Sequence, residues 1–214
     1  MGKSRRRGGD TPDGTQNGSS DDFETSIGNK VPLNGYSRDT LEQLQSAINS
    51  WIGWGGVGIE RRFPNYDYNN PEQNDLLNYV LDSMETTSDH LYRLERMERT
   101  FLEQNLEVGK YFNFKDKVKT VDEYKSDIAR LKAFSKTING SEFLMDSWYK
   151  NNDDQLVLFR TNGDVKYFDT TKWNNKYPEE EEVWVGSTYG KDWEVTGINH
   201  ETVNGRDVLV VDIM

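Results

Sequence analysis

The spacing of apolar residues changes once along this chain, and that change restricts the fold more than any other feature. Over residues 38–87 the spacing is helical: Leu41, Leu44, Ile48 and Trp51 share one face, and Leu77, Val80, Leu81 and Met84 share another. Asp39 and Glu42 stand at capping-box separation ahead of the first run. Gly53, Gly55, Gly56 and Gly58 break the chain, and Asn70-Pro71 then reads as an N-cap and a first helical residue. A shorter helix is predicted near Thr120, with Glu123 three positions on and Tyr124, Ile128 and Leu131 following. In the C-terminal third the period falls to two. Leu156-Val157-Leu158-Phe159 and Val165-Lys166-Tyr167-Phe168 flank Asn162-Gly163, a hairpin signal. Val183-Trp184-Val185 and Trp193-Glu194-Val195-Thr196 flank another Gly-containing turn, and residues 207–213 alternate after Asn204-Gly205. Helices first and strands later predict an α+β domain.

That domain is expected to span residues 36–214. Residues 1–35 are rich in Gly, Ser, Asp and Asn and carry few apolar side chains, so they are expected to form a flexible tail with a basic tip at Lys3 and Arg5 to Arg7. Six Trp and eleven Tyr mark the rest as a folded chain despite a net charge of -11. The same negative charge argues against general nucleic-acid or anionic-membrane binding, which needs surplus Lys and Arg. With no cysteine there is no disulfide, thiolate metal site or cysteine nucleophile, and two histidines, His90 and His200, are too few for a histidine metal cluster. No metal is expected. No apolar run approaches membrane-spanning length, and no secretory signal is expected ahead of the domain.

The sharpest local feature is Tyr177-Pro178-Glu179-Glu180-Glu181-Glu182-Val183-Trp184. Read as an extended entry into a strand, it sends Glu180 and Glu182 to one face, roughly 7 Å apart by strand rise. Two carboxylates on one face repel, and one is pushed toward a higher pKa. Such a pair suits a reaction through an oxocarbenium ion, in which one carboxylate stabilises positive charge and the other manages a proton.

Glu180-Glu181-Glu182 followed by Val183-Trp184-Val185, a turn and Trp193-Glu194-Val195-Thr196 resembles the end of the arginine-type mono-ADP-ribosyltransferase toxin family. Leu91-Tyr92-Arg93 is similar to that family's strand arginine, and Phe134-Ser135-Lys136-Thr137 to its hydroxyl-bearing strand, with lysine in the middle position. The helical lead-in Ala47-Ile48-Asn49-Ser50-Trp51 to Ile59-Glu60-Arg61-Arg62 extends the likeness, which covers about residues 38–214. The resemblance implies a phage or bacterial member with two antiparallel β-sheets forming an NAD+ cleft, flanked by the N-terminal helices. It implies that Glu182 holds the ribose and stabilises the oxocarbenium ion, and that Glu180 positions or deprotonates the acceptor, an arginine of a target protein. It assigns Arg93, Ser135 and Thr137 with Glu182 to NAD+. Tyr177, on the loop just before the pair, is placed to contact the target, and Phe143 or Trp148 is either a stacking partner for nicotinamide, in a loop within residues 139–155, or a core residue. Two alternatives stay open: an NAD glycohydrolase, and an inactive virion or minor head protein with the same fold. The location stays open between bacterial cytoplasm, virion and non-classical export.

Overall fold

A computed structural model of the chain describes residues 21–51, 71–112, 131–143, 154–173, 177–186 and 193–214. The Gly-rich break at 53–58, Asn70, the helix expected near Thr120 and Trp148 lie outside these described residues. The chain has the expected α+β character: a nine-stranded sheet, a separate two-stranded ribbon and four α-helices among the described residues. None of those helices is long and apolar enough to cross a membrane.

The ribbon, β1 (Asp22–Glu24) and β2 (Lys30–Pro32), falls inside the stretch read as tail. Its middle residues Phe23 and Val31 are buried, so folded structure begins well before residue 36. Two isolated apolar residues give no periodic signal; only their contact with a distant core makes a strand pair of them. That core is built by α1 (Arg38–Trp51) and α2 (Pro71–Asp82), which contribute Leu41, Leu44, Ile48, Leu76, Tyr79 and Val80. Ser37 is the N-cap of α1, since its Oγ accepts the Thr40 N–H at 3.1 Å, which moves the start ahead of the Asp39 pair. Proline opens α2, where a missing N–H costs nothing.

The remaining elements are β3 (Glu85–Thr87), β4 (Tyr92–Glu98), α3 (Arg99–Asn105), β5 (Tyr111–Phe112), β6 (Leu131–Ser135), α4 (Ile138–Phe143), β7 (Asp154–Thr161), β8 (Val165–Asp169), β9 (Glu182–Gly186), β10 (Trp193–Val203) and β11 (Arg206–Ile213). They lie side by side as β3-β8-β9-β6-β4-β7-β11-β10-β5. The middle of this order is nearly open, because β4 and β6 pair only at Tyr92↔Ser135. Beyond that pair β4 runs with β7, and β6 runs with β9. The sheet therefore forks into two arms whose inner faces share one core, with Phe134, Val183 and Val185 from one arm and Val157, Phe159, Val211 and Ile213 from the other. The two separate antiparallel sheets expected from the sequence are thus arms of one sheet, and the β7–β11 pair is parallel.

The Asn162-Gly163 turn does not close a hairpin. β7 already has β4 on one side and β11 on the other, so β8 crosses to the second arm and pairs with β3 and β9. Likewise β9 and β10 belong to different arms. Asn204-Gly205 does close one, joining β10 to β11 with φ 50 and 77° at its two residues.

Candidate active site

The acidic run is not extended. Pro178–Glu180 forms one 3-10 turn, Glu181 takes the left-handed conformation (φ 44, ψ 39), and β9 starts at Glu182. The turn and the left-handed residue together swing both outer carboxylates inward: Glu180 and Glu182 are each 5% exposed, whereas Glu179 is exposed. The burial of both side chains thus comes from a reversal of the chain and not from the strand alternation expected of the run. A left-handed non-glycine residue costs on the order of 1–2 kcal/mol, so something must hold it.

The carbonyls of the run do so, one after another. Ser135 Oγ donates to Glu180 O at 2.7 Å, Lys136 N–H to Glu181 O at 3.1 Å, and Thr170 Oγ1 to Glu182 O at 2.5 Å. Each such bond adds about 1 kcal/mol net, enough together to offset the strained residue. Ser135 is thus a clamp on the main chain of Glu180. Its Oγ also accepts the Thr137 N–H at 3.2 Å. Thr137 Oγ1 in turn accepts the Gly140 N–H at 3.1 Å, which caps the first turn of α4.

Gly140 lies against this clamp. A Cβ there would sit 2.5 Å from Glu180 O and closer still to Ser135 Oγ. Both atoms are held, so Gly140→Ala is expected to displace the run and to cost about 1–3 kcal/mol by overpacking. Urea unfolding of wild type and variant measures the cost.

Burial first, then the charges of Glu182 and Glu179, push Glu180 up to about 7. A carboxyl half-ionised near neutrality serves as a base. Glu182 Oε1 accepts the Trp184 indole N–H at 2.8 Å.

Register links these groups to the fork. Glu182 stands opposite Ser135 on β6, and Ser135 opposite Tyr92 on β4. At roughly 4.8 Å per strand, Tyr92 and Glu182 are about 10 Å apart across the sheet. Arg93, the next residue, spans the fork: Nη1 donates to Ala133 O at 2.7 Å and Nε to the Glu95 carboxylate. On the other side of Glu182 a cavity of about 200 Å³ is lined by Lys136, Thr170, Thr171, Tyr177, Pro178, Glu181 and Glu182. Lys136 Nζ donates to Asp169 Oδ2 at 2.8 Å and stands 5.9 Å above the Tyr167 ring. Burial alone would raise Asp169, but hydrogen bonds from Lys136 and Thr171 outweigh it and hold the carboxylate below its ordinary range.

Of the residues singled out from the sequence, Glu182 and Tyr177 line this cavity, while Ser135 and Glu180 form the clamp behind it and Arg93 stands at the fork. Only the backbone of Phe143 is described, at the end of α4. His90 contacts Thr161 O, and His200 pairs loosely with Asp207 at 3.6 Å. Gly140, Thr170, Asp169 and Trp184 escaped the sequence reading. Two left traces there: Asp169-Thr170-Thr171 is an N-cap pattern, and a glycine inside a short helix marks a close approach. Among the described residues, no group of three or more His, Asp or Glu side chains is arranged to hold a metal ion. The site offers a guanidinium at the fork, a polar cavity, and two buried carboxylates, of which burial and neighbouring charge hold Glu180 well above the usual carboxylate range.

No protein-family model and no curated protein matches the sequence. Among solved structures, the Vis toxin, an ADP-ribosyltransferase from Vibrio splendidus, is 14% identical with a TM-score of 0.43, over 80% of this chain and 73% of that one. The type III effector XopAI from Xanthomonas axonopodis pv. citri is 14% identical with a TM-score of 0.44, over 85% and 69%. The enzymatic component of the C2 toxin from Clostridium botulinum is 15% identical with a TM-score of 0.39, over 83% and 44%. At these identities and TM-scores none of the three carries a function to this chain.

Proposed function

We propose that the chain is an NAD+-dependent mono-ADP-ribosyltransferase that modifies a protein target at arginine. The observation that carries this function is the pair Glu180 and Glu182, both 5% exposed, with Glu180 pushed up to about 7. Burying two carboxylates side by side is unfavourable, and a fold tolerates it chiefly where positive charge must be met. The motifs Leu91-Tyr92-Arg93, Ser135 and Glu180-Glu181-Glu182 support the same assignment.

In the proposed reaction the bond between nicotinamide and the ribose C1′ breaks, and nicotinamide leaves with the bonding pair. Glu182 accepts a hydrogen bond from the ribose 2′-hydroxyl and stabilises the oxocarbenium ion. A guanidinium nitrogen of the target attacks C1′, and its proton passes to Glu180, whose basicity suits that transfer at neutral pH. Arg93 holds the diphosphate, since a planar fork matches phosphate oxygens two at a time. Ser135 and Thr137 act chiefly through the clamp and the α4 cap, and Tyr177, which lines the cavity, meets the target.

Purified protein incubated with labelled NAD+ and a bacterial lysate tests the proposal. Labelled protein bands, lost in Glu182→Gln, support transfer. Free ADP-ribose without labelled bands favours a glycohydrolase, and intact NAD+ favours an inactive virion component. Arg93→Lys is expected to weaken NAD+ binding about tenfold, the loss of roughly 1.4 kcal/mol of paired contact. Titration calorimetry of wild type and variant with NAD+ measures it.

A further inference from the structure

The main-chain clamps fix where the backbone of residues 180–182 runs, but they do not fix the side-chain torsions of Glu182. A second device acts on the carboxylate itself. Trp184 lies two positions along β9, so its side chain shares a face with that of Glu182. Its indole Nε1 donates to Glu182 Oε1 at 2.8 Å, and both residues are buried, at 2% and 5% exposure. We propose that Trp184 is a positioning residue of this site, whose indole N–H sets where the Glu182 carboxylate stands.

Three features make the N–H more than incidental. An indole nitrogen only donates, so the bond has one polarity and the carboxylate must be its acceptor. A bond to an ionised acceptor is roughly twice as strong as a neutral one, and more so out of water. The ring cannot follow the carboxylate if it drifts. It is packed in the core built by α1 and α2, 5.5 Å from the Phe168 ring at 31°, and stands opposite Ala133 on β6. A valine or leucine would serve β9 equally well as a buried strand residue; tryptophan adds a donor at a fixed point. Positioning of this kind holds a reacting group within a fraction of an ångström of its working geometry.

This inference rests on the assignment of Glu182 to NAD+ cleavage, and its test has one arm that does not. Two replacements remove the donor. Trp184→Phe keeps an aromatic ring, and the benzothiophene analogue of tryptophan at position 184 keeps the whole bicycle. In both, kcat for NAD+ cleavage is expected to fall about tenfold while KM stays within about twofold, the pattern of an interaction used mainly in the transition state. The benzothiophene protein keeps the ring packing, so its kcat loss, and any fall in melting temperature, report the missing N–H alone. If it keeps wild-type kcat, Trp184 is only a core residue and the proposal is overturned.

The independent arm is nuclear magnetic resonance of the indole N–H groups. The Trp184 signal, identified by its loss in Trp184→Phe, is expected to move upfield in Glu182→Ala as its acceptor disappears. A signal indifferent to Glu182→Ala overturns the bond and the proposal with it. If that signal moves while the wild type leaves NAD+ intact, the bond stands and it is the proposed reaction that fails.

Discussion

Glu182→Gln is expected to lower NAD+ cleavage by about 10²–10³-fold while leaving the fold and the affinity for NAD+ nearly unchanged. The size follows from what is removed: the carboxylate, almost out of water, that the proposed reaction sets against the positive charge developing on the ribose. Single preorganised groups of this kind contribute on the order of 10²–10³ in rate. The sparing of the fold follows from what is kept. The glutamine amide oxygen can accept the same indole N–H from Trp184, and the Thr170 hydroxyl donates to the main chain of residue 182, which the substitution leaves alone. Ground-state binding is also spared, because the diphosphate contacts assigned to Arg93 are elsewhere. Single-turnover kinetics, NAD+ titration and thermal melting would separate the three quantities. A variant that loses binding and folding together with activity would count against a role confined to the transition state.

Glu180→Gln is expected to make the protein more stable and a poorer transferase. Folding raises this carboxyl from its ordinary 4.5 to about 7, so the folded chain holds the proton more tightly than the unfolded one. Below about pH 4.5 both states are protonated and no penalty exists. Between about 4.5 and 7 the unfolded state ionises first, and stability falls as pH rises. Above about 7 the full penalty applies, up to about 3 kcal/mol at roughly 1.4 kcal/mol per pH unit. The amide removes most of it, so the variant should melt several degrees higher at pH 8 and the same at pH 4. Transfer to arginine should fall by a factor of 10²–10⁴, the usual contribution of a general base. Hydrolysis, which need not deprotonate a guanidinium, should fall far less. In the wild type the transfer rate should climb with pH to a plateau above about 7, and the variant should lack that climb. Urea unfolding across pH, beside paired transfer and hydrolysis assays, measures all of these; equal losses in both reactions would remove Glu180 from its role as acceptor base.

Both variants act on residues visible in the sequence, yet the reason they act lies largely outside it. The order Arg93, Ser135, Glu180, Glu182 and the strand character around Arg93 and Ser135 could be read along the chain. So could the helical faces of Leu41, Leu44 and Ile48, because a buried helix face needs apolar residues at that period. Asn162-Gly163 shows where such reading stops. Its turn chemistry is that of a hairpin, but β7 is flanked on both sides by other strands, and no local signal reports that a strand's neighbours are taken.

The sequence by itself determined the type of most elements, the hydroxyl strand and the acidic run, because these depend on side chains a few residues apart. Tertiary structure alone decided that Phe23 and Val31 belong to the core, that β4 and β6 touch at one residue, and that Gly140 must lack a side chain. It also decided the inward turn of both carboxylates. The left-handed Glu181 is unfavourable for an isolated chain and persists because Ser135, Lys136 and Thr170, supplied by other strands and turns, bind three successive carbonyls. Contacts between residues far apart in the chain can stabilise a conformation that no local preference would choose.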